Sequence, residues 1–418
     1  MGIGASFSNS RTRNAWKIFF AVTGPGIVVM LADTDAGSVI TAAQSGVQWG
    51  YKLLLLQFIL IPILYIIQEL TVRLGIFTGK GHGELIRETF GAGWAWVSVA
   101  GLAIASIGAL VTEFAGVAGA GELFGVPRII SLALAVMFLL VIVWSGSYRQ
   151  VERVAIALGL FEFAFFGVAI AAHPHLKEMA AGLVHIPLSN SAYLYLIAAN
   201  IGAVIMPWMI FYQQSAIVDK GLLPEHYNRE RWDTAIGSVV TQLVMAAILV
   251  AAAATIGKTH PNEALNSIGQ ISHALIPFLG RNIGRAVFGM GILGAAMVAA
   301  IVVSLAMAWG AGEITGFKHS LEHHPLEAPW FYFVFSAAVL GGAAIVAVIP
   351  NLVALSVAVQ VMNSLLLPLV LGFLVALAIK ALPPEHRLPG KYLWVVIAAC
   401  VLTAGLGVYG GLTGSGWL

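Results

Sequence analysis

The chain has 418 residues, of which only 10% are charged and 59% are apolar, with 46 glycines and a mean hydropathy of +0.92. Soluble proteins carry roughly 25% charged residues, so a soluble globular enzyme and a disordered chain are both excluded. The single cysteine, Cys400, cannot form an internal disulfide or a thiolate cluster. A net charge of +2 gives no bulk signal for nucleic acid. The composition is that of an all-α polytopic membrane protein whose first partner is the lipid bilayer.

A crossing helix needs roughly 20 apolar residues. Eleven stretches qualify in chain order: Trp16–Ser45, Leu53–Val72, Trp94–Phe124, Ile129–Ser145, Val154–Ala172, Ala192–Val218, Ala235–Ile256, Ala286–Trp309, Trp330–Val348, Leu352–Ala381 and Leu393–Leu412. They are called spans 1 to 11. The polar start and the lack of a small-residue cleavage site after span 1 argue against a removed signal peptide. With the N-terminus inside, only Lys52, Arg128, Lys177, Lys258, Arg281 and Arg285 of the 21 basic residues fall outside. That bias predicts a cytoplasmic N-terminus and, with an odd span count, an external C-terminus in the plasma membrane. No segment is long enough for a separate soluble domain. The gaps Lys258–Arg285 and Gly312–Pro329 can hold short surface helices at most. The whole chain reads as one transmembrane domain.

Two spans carry interruptions. Span 1 contains Ala32-Asp33-Thr34-Asp35-Ala36-Gly37-Ser38, with two carboxylates well inside an apolar run. Each charged group at that depth costs roughly 2.5 kcal/mol or more on insertion scales, and Gly weakens the helix around it. Either Gly37 packs beside a helix-end acid, or the segment is unwound and offers carboxylates and carbonyls to a ligand. Span 6 contains Gly202-Ala203-Val204-Ile205-Met206-Pro207-Trp208, where Pro207 removes a donor and frees carbonyls near Ala203. Each break precedes a similar pair, Gln44-Ser45 and Gln214-Ser215. Spans 1 and 6 are each the first of five, as an inverted repeat requires. Interrupted helices at matching places point to a midplane substrate site.

These residues resemble the Nramp family of divalent metal-ion transporters. Gly24-Pro25-Gly26 through Asp35-Ala36-Gly37-Ser38 to Gln44-Ser45-Gly46 is similar to that family's GPG…DPGN…QAG pattern. Arg73-Leu74-Gly75-Ile76-Phe77-Thr78-Gly79-Lys80, with Glu84-Leu85 and Arg87-Glu88, is similar to its second-helix ending. Thr112-Glu113-Phe114-Ala115 resembles TDLAE. Tyr148, Arg149 and Glu152 resemble the loop before helix 5, and Ala203 to Pro207 resembles ATVMPH. The similarity runs from Gly24 to Pro368; spans 7 to 9 are generic. It implies a LeuT-like inverted repeat of eleven or twelve helices, with repeat one at about 16–172, repeat two at about 192–381 and an extra helix at about 393–412. It also implies a metal site between unwound helices 1 and 6. Carried over, Asp35 is the anionic ligand, Ser38 stands at the family's Asn, Ala203 gives a carbonyl, Met206 a thioether, and Gln360 enters from helix 10. The metal ion is the transported substrate; no cofactor, enzymatic activity or obligate protein partner is expected.

The departures are specific. Asp33 is an additional carboxylate, which on a helix points about 200° from Asp35. It shares the same cavity if the backbone is unwound, or faces a watery vestibule. Trp208 replaces the His after the helix-6 Met-Pro, and the later family His falls at or beside Gln213 and Gln214. In span 3, Glu113 replaces Asp and Gly116 the next acid; span 9 has no basic residue. The missing groups belong to the family's proton route, and His is the natural carrier near neutral pH. Weak or absent proton coupling is therefore expected. Met206 favours Mn²⁺ or Fe²⁺, unless it merely packs; the oxygen groups of Asp33, Asp35, Ser38 and Gln360 suit Mg²⁺, the cargo of a divergent branch. The Mn²⁺/Fe²⁺ range ranks first. A transporter of small organic solutes, such as an amino acid, is the alternative, disfavoured because Asp35 repels a carboxylate.

Other features point elsewhere. His173, His175, His319, His323 and His324 read as loop residues, and no HExxH, Walker-type or Ser-His-Asp pattern is present. Glu69 and Glu162 are intramembrane acids open to a gating or a pairing role. Trp94, Trp96, Trp330 and Trp394 fit an interfacial belt.

Overall fold

The computed structural model describes residues 25–145, 147–259, 264–265, 267–272, 281–349 and 352–417, and all regular structure among them is helical. Residues 16–24 of span 1 and residues 260–263, 266 and 273–280 of the gap Lys258–Arg285 lie outside the described residues.

Among the described residues a helix lies at each of the eleven stretches, and nine helices are long and apolar enough to cross a membrane. Span 1 is divided into span 1a, Pro25–Asp33, and span 1b, Ala36–Trp49. Span 6 is divided into span 6a, Ser191–Val204, and span 6b, Pro207–Asp219. Span 2 is Leu54–Thr78, span 3 Ala92–Leu123, span 7 Tyr227–Ala254, span 8 Arg281–Thr315, span 9 Pro329–Val348, span 10 Leu352–Lys380 and span 11 Gly390–Gly414. Span 4, Arg128–Val143, has only 16 residues and exposes Ile130, Leu134, Met137 and Val141 at the periphery. Span 5 joins Tyr148–Gly159 to Ala164–Ala171 through one 3₁₀ turn, Leu160–Phe163.

Spans 7 and 8 begin earlier than hydropathy indicates. Tyr227–Asp233 and Arg281–Arg285 carry charge, so an apolar window misses them although the helix continues. The short helices His82–Phe90 and Leu176–Val184 follow spans 2 and 5; both are too polar or too short to stand out as spans.

The two broken helices are antiparallel partners. Span 1a packs beside 6b, and 1b beside 6a. Span 8 packs along span 3, span 10 along 6a and span 11, and span 7 along spans 1 and 2. Span 6 is consequently almost wholly buried.

Glu69 resolves as a pairing residue. Its Oε1 accepts from Arg73 Nη2 at 2.7 Å and from the Tyr227 hydroxyl, with Arg231 at 3.8 Å, so it ties span 2 to the start of span 7. The four tryptophans Trp94, Trp96, Trp330 and Trp394 are exposed, as an interfacial belt requires.

Candidate metal centre

The break in span 1 is made by Asp35. Its backbone is extended, with φ −72° and ψ 172°, and its Oδ1 accepts the Ser38 amide at 2.5 Å, which caps span 1b. The break in span 6 has a different cause. The residue before a proline is pushed out of the helical region, and Met206 lies at φ −97°, ψ 139°. Pro207 then occupies the first position of span 6b, where its missing N–H costs nothing. The proline therefore starts a new helix rather than kinking a continuous one. Ala203, four residues before it, loses its regular amide donor.

The Ala203 carbonyl accepts the Ser38 hydroxyl at 2.8 Å, so the two breaks are joined directly. Span 10 closes the third side. A Cβ built on Gly37 would lie 2.2 Å from Gln360 Nε2, and one built on Gly202 would lie 1.8 Å from the Gln360 carbonyl oxygen. Only glycine permits both approaches. Asp35, Ser38, Ala203 and Gln360 are thus brought together, Met206 stands at the break of span 6 three residues after Ala203, and each of the five is wholly buried. Two polar atoms of the set have no protein partner: Asp35 Oδ2 and Gln360 Nε2. A buried carboxylate oxygen left unpaired is costly unless a cation or proton meets it. Among the described residues, no Lys or Arg forms an ion pair with Asp33, Asp35, Glu113 or Glu162.

Glu113 braces this centre from span 3. Its Oε2 accepts the Ala36 amide at 3.0 Å and its Oε1 accepts the Thr112 hydroxyl at 2.9 Å. Gly116 has a steric reason, because a Cβ there would lie 2.4 Å from the Ala36 Cβ. Trp208 is fully buried at the start of span 6b, and its indole N–H has no protein partner.

Three sequence candidates lie apart from the centre. Gln44 Oε1 accepts the Leu265 amide at 2.9 Å. Gln214 Nε2 donates to the Lys80 carbonyl at 2.9 Å, and its Oε1 lies 3.0 Å from His82 Nδ1. A Gln eight or nine residues past a break is about 12–14 Å along the helix axis. The matched pairs mark opposite ends of the bundle, as an inverted repeat demands. Asp33 ends span 1a and turns towards span 7, where its Oδ2 accepts the Thr241 hydroxyl at 3.4 Å.

Sequence reasoning overlooked Asn363. Its Nδ2 donates to Gln360 Oε1 at 2.9 Å and lies 3.4 Å from the Gly202 carbonyl, fixing the orientation of Gln360. The available signal was the i, i+3 spacing of two amides in an apolar helix.

His82 and Glu313 were also missed. Glu313 on span 8 accepts the Gly83 amide at 2.7 Å and the Ser215 hydroxyl at 2.5 Å. Together with His82–Gln214 it ties the short helix after span 2 to spans 6b and 8. Burial pushes the His82 imidazole down from 6.5 to about 4, against the opposing Gln214 hydrogen bond. The native chain therefore binds fewer protons than the unfolded chain between those values. The stability is fully present above about pH 6.5 and is lost as pH falls, by about 3 kcal/mol at pH 4. Thermal unfolding of wild type and His82→Gln between neutral pH and pH 4.5 is expected to show the shallower acid slope in the variant. Parallel slopes would remove His82 from this role.

The chain matches the family described as natural resistance-associated macrophage protein-like over residues 26–413. It is 29% identical over 304 residues to a divalent metal cation transporter, MntH, of Klebsiella pneumoniae, covering 71% of this chain and 73% of that one. It superposes on a crystal structure of an Eremococcus coleocola manganese transporter with a TM-score of 0.75 and 20% identity, covering 99% of this chain and 88% of the other. The structure of MhsT in complex with L-phenylalanine shares the fold at a TM-score of 0.61 and 13% identity, covering 93% and 98% of the two chains. The architecture is accordingly LeuT-like.

Proposed function

Because the chain belongs to the Nramp family, matched over residues 26–413, and is hence an integral membrane transporter rather than an enzyme, we propose that it carries divalent metal cations across the bilayer. The proposed cargo lies in the Mn²⁺ and Fe²⁺ range ahead of Mg²⁺. One observation carries the reading: Asp35 Oδ2 is buried without a partner among the described residues, at a break in span 1 that Ser38 joins to Ala203 beside the break in span 6.

In this reading Asp35 supplies charge to the cargo, the Ala203 carbonyl neutral oxygen and Met206 sulfur, while Gln360, whose Oε1 accepts from Asn363 Nδ2, lines the break with its amide nitrogen. A thioether discriminates against hard ions. MntH and the Eremococcus coleocola protein are named for divalent metal and manganese transport, in keeping with this cargo. Asp35, Ser38, Ala203, Met206 and Gln360 are wholly buried, which suits the occluded step of alternating access between two repeats. Span 1a with 6b would open one route, and 1b with 6a the other. We place the N-terminus in the cytoplasm and the C-terminus outside the plasma membrane, from the distribution of basic residues.

Proton coupling is weak or absent in this reading. Trp208 and Gly116 occupy positions of the family's titratable groups, and span 9 carries no charge. The Mg²⁺ reading makes a different prediction at Met206. Met206→Ala in proteoliposomes is expected to lower Mn²⁺ uptake about tenfold while leaving Mg²⁺ little changed, with no proton flux locked to the metal in a parallel pH-dye record. Mg²⁺ uptake faster than Mn²⁺ and indifferent to Met206 would move the cargo to magnesium.

A further inference from the structure

The two carboxylates of span 1 face different neighbours. Asp35 turns to Ser38 and Glu113, on the side of spans 3 and 10. Asp33 turns to Thr241 of span 7. On this second side the Thr34 hydroxyl lies 2.7 Å from the Thr241 hydroxyl, and Glu162 of span 5 is near enough to act electrostatically on Thr34 and Asp33. Span 5 comes this close because Gly159 lies against Leu31 of span 1a, where a Cβ would be 2.7 Å away. Glu162 itself sits in the single 3₁₀ turn of that helix, and such mid-helix turns often mark functional positions.

Among the described residues neither acid forms an ion pair with Lys or Arg. Asp33 and Glu162 are each 1% exposed, and Asp33 Oδ1 and Glu162 Oε1 are buried without any protein partner. Asp33 is also the last residue of span 1a, so the negative end of that half-helix adds to the field. Two carboxylates, two hydroxyls and a helix C-terminus, with no sulfur or imidazole, make a hard-oxygen environment.

We propose that Asp33 and Glu162, with the hydroxyls of Thr34 and Thr241, form a second cation site for a hard ion, distinct from the Asp35 centre. The ion is Na⁺ or a second divalent cation such as Mg²⁺. It ties span 1a to spans 5 and 7, so its arrival and departure act on the half-helix that forms one side of the cargo centre. The site goes beyond the cargo reading and stands whichever metal is carried.

The test is equilibrium binding of Na⁺ alone and of Mg²⁺ alone to the purified full-length chain, with thermal unfolding recorded for each variant. Asp35→Ala is expected to retain one hard-cation site per chain, and adding Glu162→Gln to weaken that site at least about tenfold. Thr241→Val, which keeps both carboxylates, is expected to weaken it by a smaller factor. Retention of Na⁺ would identify a monovalent co-ion, and retention of Mg²⁺ alone a second divalent ion; either supports the site. Binding unaffected by Glu162→Gln and Thr241→Val in folded protein overturns it, as does binding of neither ion to folded Asp35→Ala. Mn²⁺ uptake is measured separately. A chain that binds the hard cation through Glu162 but moves no Mn²⁺ keeps the second site and rejects the proposed cargo.

Discussion

Asp35→Ala is expected to reduce Mn²⁺ uptake into proteoliposomes by about 100-fold or more, the cost of leaving a divalent ion without its charged ligand in a water-poor site. Asp35 has two tasks. Its Oδ1 caps span 1b through the Ser38 amide, while Oδ2 has no protein partner. Losing the cap costs about 1 kcal/mol, too little to account for such a loss of transport. Asp35→Asn separates the tasks, since an amide oxygen still caps the helix but carries no charge. The expected result is near-wild-type thermal stability with uptake as low as in Asp35→Ala. Uptake recovering in Asp35→Asn would mean that Asp35 acts by holding the break open rather than by binding the ion.

Gly202→Ala is expected to have the largest structural effect of any single methyl group near the centre. The added carbon would meet the Gln360 carbonyl oxygen at 1.8 Å and the Ser364 amide nitrogen at 2.8 Å, both backbone atoms of span 10. No side-chain rotation relieves that contact, so span 10 or span 6a must shift. Overpacking of this kind costs about 1–3 kcal/mol and sometimes more. Thermal unfolding in detergent should show a lower transition, and Mn²⁺ affinity should fall with it because Gln360 moves with its helix. Gly372, on the same span 10, has open space at its Cβ position and is the control. Equal stability of Gly202→Ala and Gly372→Ala would show that the breaks are not held by this contact.

The breaks were legible because they violate membrane chemistry in a short window. Two carboxylates inside an apolar run and a Met-Pro step are local signals, and they located Asp35, Ala203 and Met206. Gln360 was reached only through resemblance, since its meaning depends on Gly37 and Gly202, residues far away in the chain. The partnerships of Gln44 and Gln214 were not legible. Both face groups outside their own helices, the Leu265 amide and the Lys80 carbonyl, and no periodicity encodes a distant backbone partner. Asp33 shows the same limit. The 200° offset from Asp35 applies only to a continuous helix, and Asp35 is extended, so only the packing of spans 5 and 7 shows what each acid meets. The early starts of spans 7 and 8 were hidden because charged helical turns look like loop to a hydropathy window.

The most direct test of the central claim is saturable Mn²⁺ uptake by the purified chain in sealed proteoliposomes, read with an internal metal-sensitive dye against a large excess of Mg²⁺. The account predicts uptake that saturates, survives the Mg²⁺ and disappears in Asp35→Asn. Uptake of Mg²⁺ with exclusion of Mn²⁺, or flux that is unchanged in Asp35→Asn, would contradict a metal centre built from Asp35 and Met206 at the two breaks.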